Sequence, residues 1–198
     1  DHMRNALKTG QTSPVSPYFA LTVTADPSEH QSVARSWNRR LAEDGAQLRS
    51  QIQLKQKQST SQKITVGYLS GNFRNHASTH LISGLLRHHD RERFHLFCYA
   101  CAPTDESSYV KNIKSHCDEF VHLTGLSSLK AAARIHEDAV NILVDLTGPI
   151  KGHGMEISAL RPAPLQVRYL GFAGTNGVDF YDYLITDPHA TPRDQASA

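Results

Sequence analysis

The chain is short of what a membrane protein or a disulfide scaffold would need. None of its apolar runs approaches the roughly 20 residues that cross a bilayer. Its first residues, DHMRNALKTG, lack the apolar core of a signal peptide. Cysteine is scarce: three in 198 residues, an odd number that argues against a disulfide framework and for a reducing compartment, the cytoplasm. Neither sign of charge is in excess. A formal net charge of +2 gives no electrostatic reason to expect nucleic acid or a membrane surface as partner. Familiar motifs are missing as well. The first candidate strand runs into GYLSGNFRNH, with glycines only at Gly67 and Gly71, so the G-x-G-x-x-G of a dinucleotide site is absent. No G-x-x-x-x-G-K-[ST] is present to make a P-loop, and no G-x-S-x-G to make a hydrolase elbow. D-x-D, the acidic pair with which many sugar-nucleotide enzymes hold a divalent metal, does not occur either.

What is present suffices for one well-buried core, with a hydrophobic fraction of 39% and charged residues at 20%. Residues 1–27 are punctuated by Ser, Thr and Pro. DPSE then starts a helix, with Asp26 as cap, Pro27 at the first helical position and Glu29 placed to reach back as in a capping box. Val33, Trp37 and Leu41 recur every four residues and form one apolar stripe. A polar, Gln-rich stretch follows, so a boundary is expected near residue 60. It separates a helical connector and linker (1–60) from a second unit (61–198). In that unit KITVGYLSG, RFHLFCYAC, EFVHLT, VNILVDLTG, PLQVRYLGFAG and DFYDYLITD read as strands. Helical stretches stand between the first four, including one with Leu81, Ile82, Leu85 and Leu86 at helical spacing, and the short EISALRP precedes the fifth. This alternation predicts an α/β fold with an open, doubly wound, mostly parallel sheet.

Such sheets bind ligands beyond the carboxyl ends of their strands, where strand order reverses. Three loops in that position, GNFRNHAS, LTGPIKGHG and LGFAGTNG, are rich in Gly, Asn, Thr or His. His76 and His80, four residues apart, invite a metal reading, but H-A-S-T-H lacks the glutamate of H-E-x-x-H and no third ligand is evident. His76 sits where a strand hands over to a helix, and the helix dipole there disfavours protonation. A general base, a hydrogen-bonding group in a cleft and an ordinary histidine near a cap all fit that place. His80, one turn on, reads as a packing or supporting residue, and the remaining histidines as structural or surface groups. Cys98 and Cys101 form a C-x-x-C, but within a strand positions three apart face opposite sides, so both read as buried strand cysteines.

The segments VGYLSGNFRNHASTHL, RFHLFCYA, RIHEDAVNILVDLTGPIKG, ALRPAPLQVRYLGFAGTNG and DYLITD, in that order and spacing, resemble the O-GlcNAc transferase family of glycosyltransferases, including its bacterial, tetratricopeptide-linked members. The likeness runs from about Lys63 to Asp187, and SPYFALTVTADPSEHQSVAR resembles the connector preceding the catalytic region in that family. It implies a Rossmann-like N-terminal lobe of a GT-B architecture. It also implies transfer of a sugar from a nucleotide donor, typically UDP-GlcNAc, to Ser or Thr hydroxyls, with inversion and without an essential metal or other cofactor. By this resemblance His76 matches the active-site histidine. His80, Lys151, Gly152, Gly174, Thr175 and Gly177 match substrate-side positions.

Two departures bear on donor sugar and acceptor rather than on fold. Ala173 stands where the family has Pro, and Pro149-Ile150 and His153-Gly154 flank Lys151-Gly152 in place of Tyr-Thr and a nearby Arg. The second, donor-binding lobe does not follow within the 198 residues. The expected partners are therefore a protein or peptide acceptor, and a nucleotide sugar held through that other lobe, with this chain inactive alone. The alternative expectation is a non-catalytic protein-binding module derived from the same lobe.

Overall fold

The computed structural model describes residues 2–51, 62–149 and 154–192. The expected boundary near residue 60 falls outside them, as do Lys151 and Gly152. Six strands form one parallel sheet: β1 (Ile64–Ser70), β2 (Phe94–Ala100), β3 (Glu119–His122), β4 (Ile142–Asp145), β5 (Leu165–Tyr169) and β6 (Tyr183–Ile185). Their spatial order is β3-β2-β1-β4-β5-β6, which reverses direction between β1 and β4. Each strand expected from the sequence is present. Helices α4 (Ala77–His88), α5 (Ser108–Ser115), α6 (Ser128–Glu137) and α7 (Met155–Ser158) make the crossovers. Side-chain hydroxyls start two of them: Ser107 accepts from Val110 N and Ser127 from Lys130 N, satisfying backbone donors the helices leave unpaired.

The two-residue period of the strands divides the core into two layers. Val66, Tyr68, Leu96, Cys98 and Ala100 face one side and pack with Ile82 and Leu86 of α4 and Ile113 of α5. Leu69, Phe97 and Tyr99 face the other and pack with Ala131, Ala132 and Ile135 of α6 and Ile157 of α7. Cys101 lies against this second layer, so the C-x-x-C thiols sit on opposite sides of the sheet and cannot chelate together. Gly67 leaves room for Tyr99, whose ring would come within 2.8 Å of any Cβ there. The apolar stripe expected on α4 is half as wide as its spacing suggests. Ile82 and Leu86 are buried, while Leu81 is 65% and Leu85 40% exposed, because the helix meets the sheet along a single line.

The connector holds more helix than its composition suggests: α1 (His2–Lys8), α2 (Pro17–Val23) and α3 (Pro27–Gln51). Asp26 starts α3 as expected, accepting from Ser28 N at 2.9 Å. Glu29 does not close a capping box. Its carboxylate is taken by Arg4 of α1 through contacts of 2.5 and 3.2 Å, which hold its carboxyl down at about 2. Of the expected stripe, Val33 joins Met3 and Ala20, Leu41 packs toward Met155, Ala159 and Phe180, and the Trp37 indole donates to Ser13 O at 2.9 Å with 46% of its surface exposed. Farther along α3, Gly45 lies against Ala159, whose Cβ would be 2.7 Å from an added Cβ. No helix among the described residues is long and apolar enough to cross a membrane.

Two glycine substitutions should act with opposite sign. Gly84→Ala, on α4 with open space around it, should stabilise the fold by about 0.5–1 kcal/mol through helix propensity. Gly45→Val should cost about 1–3 kcal/mol, because it forces α3 off Ala159. Urea unfolding of both variants beside the parent checks this, and equal midpoints would contradict it.

Candidate active site

Between the carboxyl ends of β1 and β4 the chain leaves the sheet in both directions, which opens a crevice. Its floor is tied together by backbone and side-chain bonds. Leu146 N donates to Leu69 O at 3.0 Å, and Gly71 N donates to the Thr147 hydroxyl at 3.1 Å.

The β1–α4 loop is held from below. Phe73 is buried in the first core layer, and Asn72 N donates to Ser70 Oγ at 3.0 Å. Asn72 O accepts from Arg74 N at 2.7 Å and from the Thr79 hydroxyl at 2.5 Å. Asn72 is itself 2% exposed, and its side-chain Nδ2 is buried without a protein partner. From the neighbouring β2–α5 loop, Asp105 accepts from Asn75 N at 2.8 Å and from the Ser107 hydroxyl, and these bonds hold its carboxyl below the usual carboxylate range. The loop is thus a braced platform that ends in His76.

His76 is half-buried and is the N-cap of α4, in extended backbone conformation with φ −150° and ψ 149°. Its Nδ1 accepts from Ser78 N at 3.2 Å. This bond decides the tautomer: with the Nδ1 lone pair engaged, a neutral ring carries its proton on Nε2. Nε2 is then a donor. To accept a proton there, the ring would first have to give up its cap. His80 has a different partner. It is exposed, and its ring lies on Tyr109 of α5 with centroids 4.0 Å apart, bracing α4 against α5. Among the described residues, no group of three or more His, Cys, Asp or Glu side chains is placed to hold a metal ion.

On the other side of the crevice stands a buried polar cluster. Asp145, 1% exposed at the end of β4, accepts from Thr147 N at 2.7 Å, from Gly148 N at 3.3 Å and from the Tyr181 hydroxyl. Burial and the neighbouring Asp145 push the Tyr181 phenol well above its ordinary value. The Arg168 guanidinium, also buried, donates to Asp145 O and Phe172 O, each at 3.3 Å, while its Nε has no protein partner. Sequence reasoning passed over Asp145, Arg168 and Tyr181. The available signal was a charged residue within or ending an otherwise apolar strand, in ILVD and LQVRY.

The β5–β6 loop leaves the sheet through Gly171 at φ +72°, where any Cβ would come within 2.2 Å of Leu146 O. Gly174, Thr175 and Gly177 follow. Thr175 Oγ1 accepts from Gly177 N at 3.3 Å, and Gly177, at φ +62°, is pressed against the backbone of Arg35 in α3. Asn38 of α3 donates to Asn176 O at 2.8 Å. These three sequence-derived residues therefore line a groove of about 1540 Å³ between the loop and α3, with His30, Arg35 and Arg39 on its helical wall. The β4 and β5 turns meet through Arg168, and Asp145 reaches the β5–β6 connection through Tyr181. Lys151, Gly152, Ile150 and His153 lie outside the described residues.

Residues 15–198 match the sequence profile described as glycosyl transferase family 41. The chain belongs to that family. Within this family it is 39% identical over 138 residues to the UDP-N-acetylglucosamine–peptide N-acetylglucosaminyltransferase of Caenorhabditis elegans, covering 69% of this chain and 12% of that protein. It is 38% identical over 130 residues to the Arabidopsis thaliana protein named as a probable enzyme of the same description, SEC, covering 66% and 13%. A solved mutant of the Thermobaculum terrenum O-GlcNAc transferase superposes with a TM-score of 0.78 at 26% identity, over 91% of this chain and 34% of that one. The chain therefore spans only about an eighth of the two curated relatives. In fold, this family 41 chain has the single all-parallel sheet expected of the N-terminal lobe.

The Asp105 brace gives a pH signature. Its folded-state pKa is depressed, so its hold on the loop is complete above the unfolded carboxylate range and is lost as pH falls through the depressed value. The protection factor of the Asn75 amide in hydrogen exchange should fall over that acidic interval. Asp105→Asn should lower it at neutral pH. Unchanged protection in the variant would show that the brace does not hold the loop.

Proposed function

We propose that the protein to which this lobe belongs transfers GlcNAc from UDP-GlcNAc to Ser or Thr hydroxyls of a protein or peptide. The reaction inverts the anomeric centre and uses no essential metal, and this chain supplies the acceptor side. The observation that carries the reading is the family 41 match over residues 15–198, which spans the crevice loops and the His76 cap. Its curated relatives are named for UDP-GlcNAc and peptide transfer. The three free cysteines accord with a reducing, cytoplasmic setting.

In the proposed reaction the acceptor hydroxyl attacks the anomeric carbon while the bond to the diphosphate breaks, and the hydroxyl proton passes to an oxygen of the departing diphosphate. With Ser78 N–H on Nδ1, His76 offers an Nε2–H, so its role is to orient the acceptor oxygen rather than to take its proton. Gly174, Thr175 and Gly177 shape the wall beside the crevice, and Lys151 and Gly152 are assigned to substrate binding by the family resemblance alone. His80 supports α4 through Tyr109. The uridine and the leaving diphosphate are held by the second lobe, where electrostatic stabilisation of the departing charge lowers much of the barrier.

Kinetics of the full-length protein test this assignment. His76→Ala should lower kcat/KM about a hundredfold, the scale of a misplaced reactant. His76→Asn keeps a side chain suited to the cap, and should recover part of the loss while leaving the pH profile of kcat/KM unchanged. Loss of an acidic limb in His76→Asn would make His76 the base instead. An unchanged rate in His76→Ala would remove it from the mechanism, whereas no transfer by the full-length parent would favour a binding module. The isolated chain should not turn over UDP-GlcNAc, and transfer by it alone would overturn the division of labour between lobes.

A further inference from the structure

Several arginines of this chain end on a carboxylate: Arg91, Arg134 and Arg161 pair with Asp118, Asp138 and Asp182. Arg74 is placed differently. It lies on the β1–α4 loop two residues before His76, and it is exposed. Its Nη2 donates to Asn72 Oδ1 at 3.3 Å, and its backbone N donates to Asn72 O at 2.7 Å. Asn72 is 2% exposed and is itself held by Ser70 Oγ, so both ends of Arg74 are tied to one buried side chain. Asp105, the carboxylate that braces this loop, does not pair with it. Its oxygens accept from Asn75 N at 2.8 Å, from Ser107 N at 3.1 Å and from the Ser107 hydroxyl. Arg74 therefore has no carboxylate partner among the described residues.

A guanidinium held in this way is preorganised for an anion. One nitrogen anchors it to the loop, and Nε and Nη1 keep their donors for a ligand. Less side-chain freedom is lost when such a group binds than when an unanchored one does. The 12-residue helix α4 begins three residues later, and its amino end adds positive potential at the same place.

We propose that Arg74 is an acceptor-specificity residue, which pairs with a Glu or Asp carboxylate of the polypeptide within about two residues of the modified hydroxyl. This role rests on the transfer reading, in which His76 orients the acceptor oxygen. Arg74 and His76 are two positions apart, at most about 7 Å between their Cα atoms, a span that an extended acceptor covers in two residues. The chemistry decides which substrate meets the charge. In an inverting displacement the entering and leaving oxygens stand on opposite faces of the anomeric carbon. A cation beside His76 is therefore on the entering side, with the acceptor, and the diphosphate departs on the other. The selected group is a carboxylate of the acceptor rather than a phosphate of the donor.

Competition between acceptor peptides, with the full-length protein and UDP-GlcNAc at low ionic strength, tests this. A Ser peptide with Glu two positions to either side should exceed its Gln counterpart about fivefold in kcat/KM, the scale of one exposed ion pair. Arg74→Lys should keep the sign of that preference. Arg74→Glu should reverse it, favouring a Lys peptide over the Glu peptide. Fluorescence anisotropy of the same peptides bound to the full-length protein gives the ratio without turnover. Absence of transfer would therefore count against the transfer reading, while the binding ratio still decides Arg74. Equal use and equal binding of the Glu and Gln peptides by the parent, or an unreversed ratio in Arg74→Glu, would overturn the proposal. So would a raised KM for UDP-GlcNAc in Arg74→Gln with the peptide ratio unchanged, which would give the side chain to the donor.

Discussion

A carboxylate enclosed at the end of a parallel strand sets the terms for this lobe. Asp145 is almost without water, and a buried charge left unpaired costs several kcal/mol. Its oxygens are satisfied by two backbone donors of its own turn and by the Tyr181 hydroxyl from the β5–β6 connection. That requirement shapes the β4 turn, draws the β5–β6 connection across the sheet and places Arg168 between the two turns. Gly148 and Gly171 are consequences of the same geometry. Arg168 would lie 2.5 Å from a Cβ at Gly148, and Leu146 O would lie 2.2 Å from one at Gly171. One wall of the crevice is thus held by the hydrogen bonds that a buried carboxylate requires.

The opposite wall is held differently. The β1–α4 loop is nailed down by an aromatic side chain, Phe73, and by successive hydrogen bonds at Ser70, Asn72, Thr79 and Asp105. His76 emerges with one ring nitrogen already committed to the helix it caps. A capping histidine resembles a reactive one in sequence, since both sit just before a helix. Only the partner of Nδ1 separates a group poised to accept a proton from one poised to donate a hydrogen bond, and here that partner is Ser78 N–H.

The parallel sheet was legible because its code is local. ITVGYLS, FHLFCYA and ILVD are apolar on both faces, as strands covered on both sides must be, and the intervening helices declare themselves by spacing and caps. The same period placed Cys98 and Cys101 on opposite sides correctly. Where the reading failed, the deciding partner was distant in sequence. Glu29 had the right offset for a capping box but met Arg4, 25 residues earlier. Leu81 and Leu85 kept helical spacing yet stayed open to solvent, because packing against a sheet needs only one line of contacts. In the site, His76 was found from its place before a helix, and the β5–β6 loop from its glycines. Asp145, Tyr181 and Arg168, far apart along the chain, were not.

From the residues alone come the class of fold, the strand sequence, the crevice loops and the family likeness, because each is written in neighbours a few positions apart. Tertiary structure alone decided which nitrogen of His76 is free, that His80 answers to Tyr109, and that the β5–β6 loop packs beneath α3. It also decided that Cys98 shares its core layer with Cys117, while Cys101 lies against the other layer. Periodicity assigns a residue to a face. Which atoms then meet on that face depends on strand order and helix placement, and those are set by the burial of the whole chain.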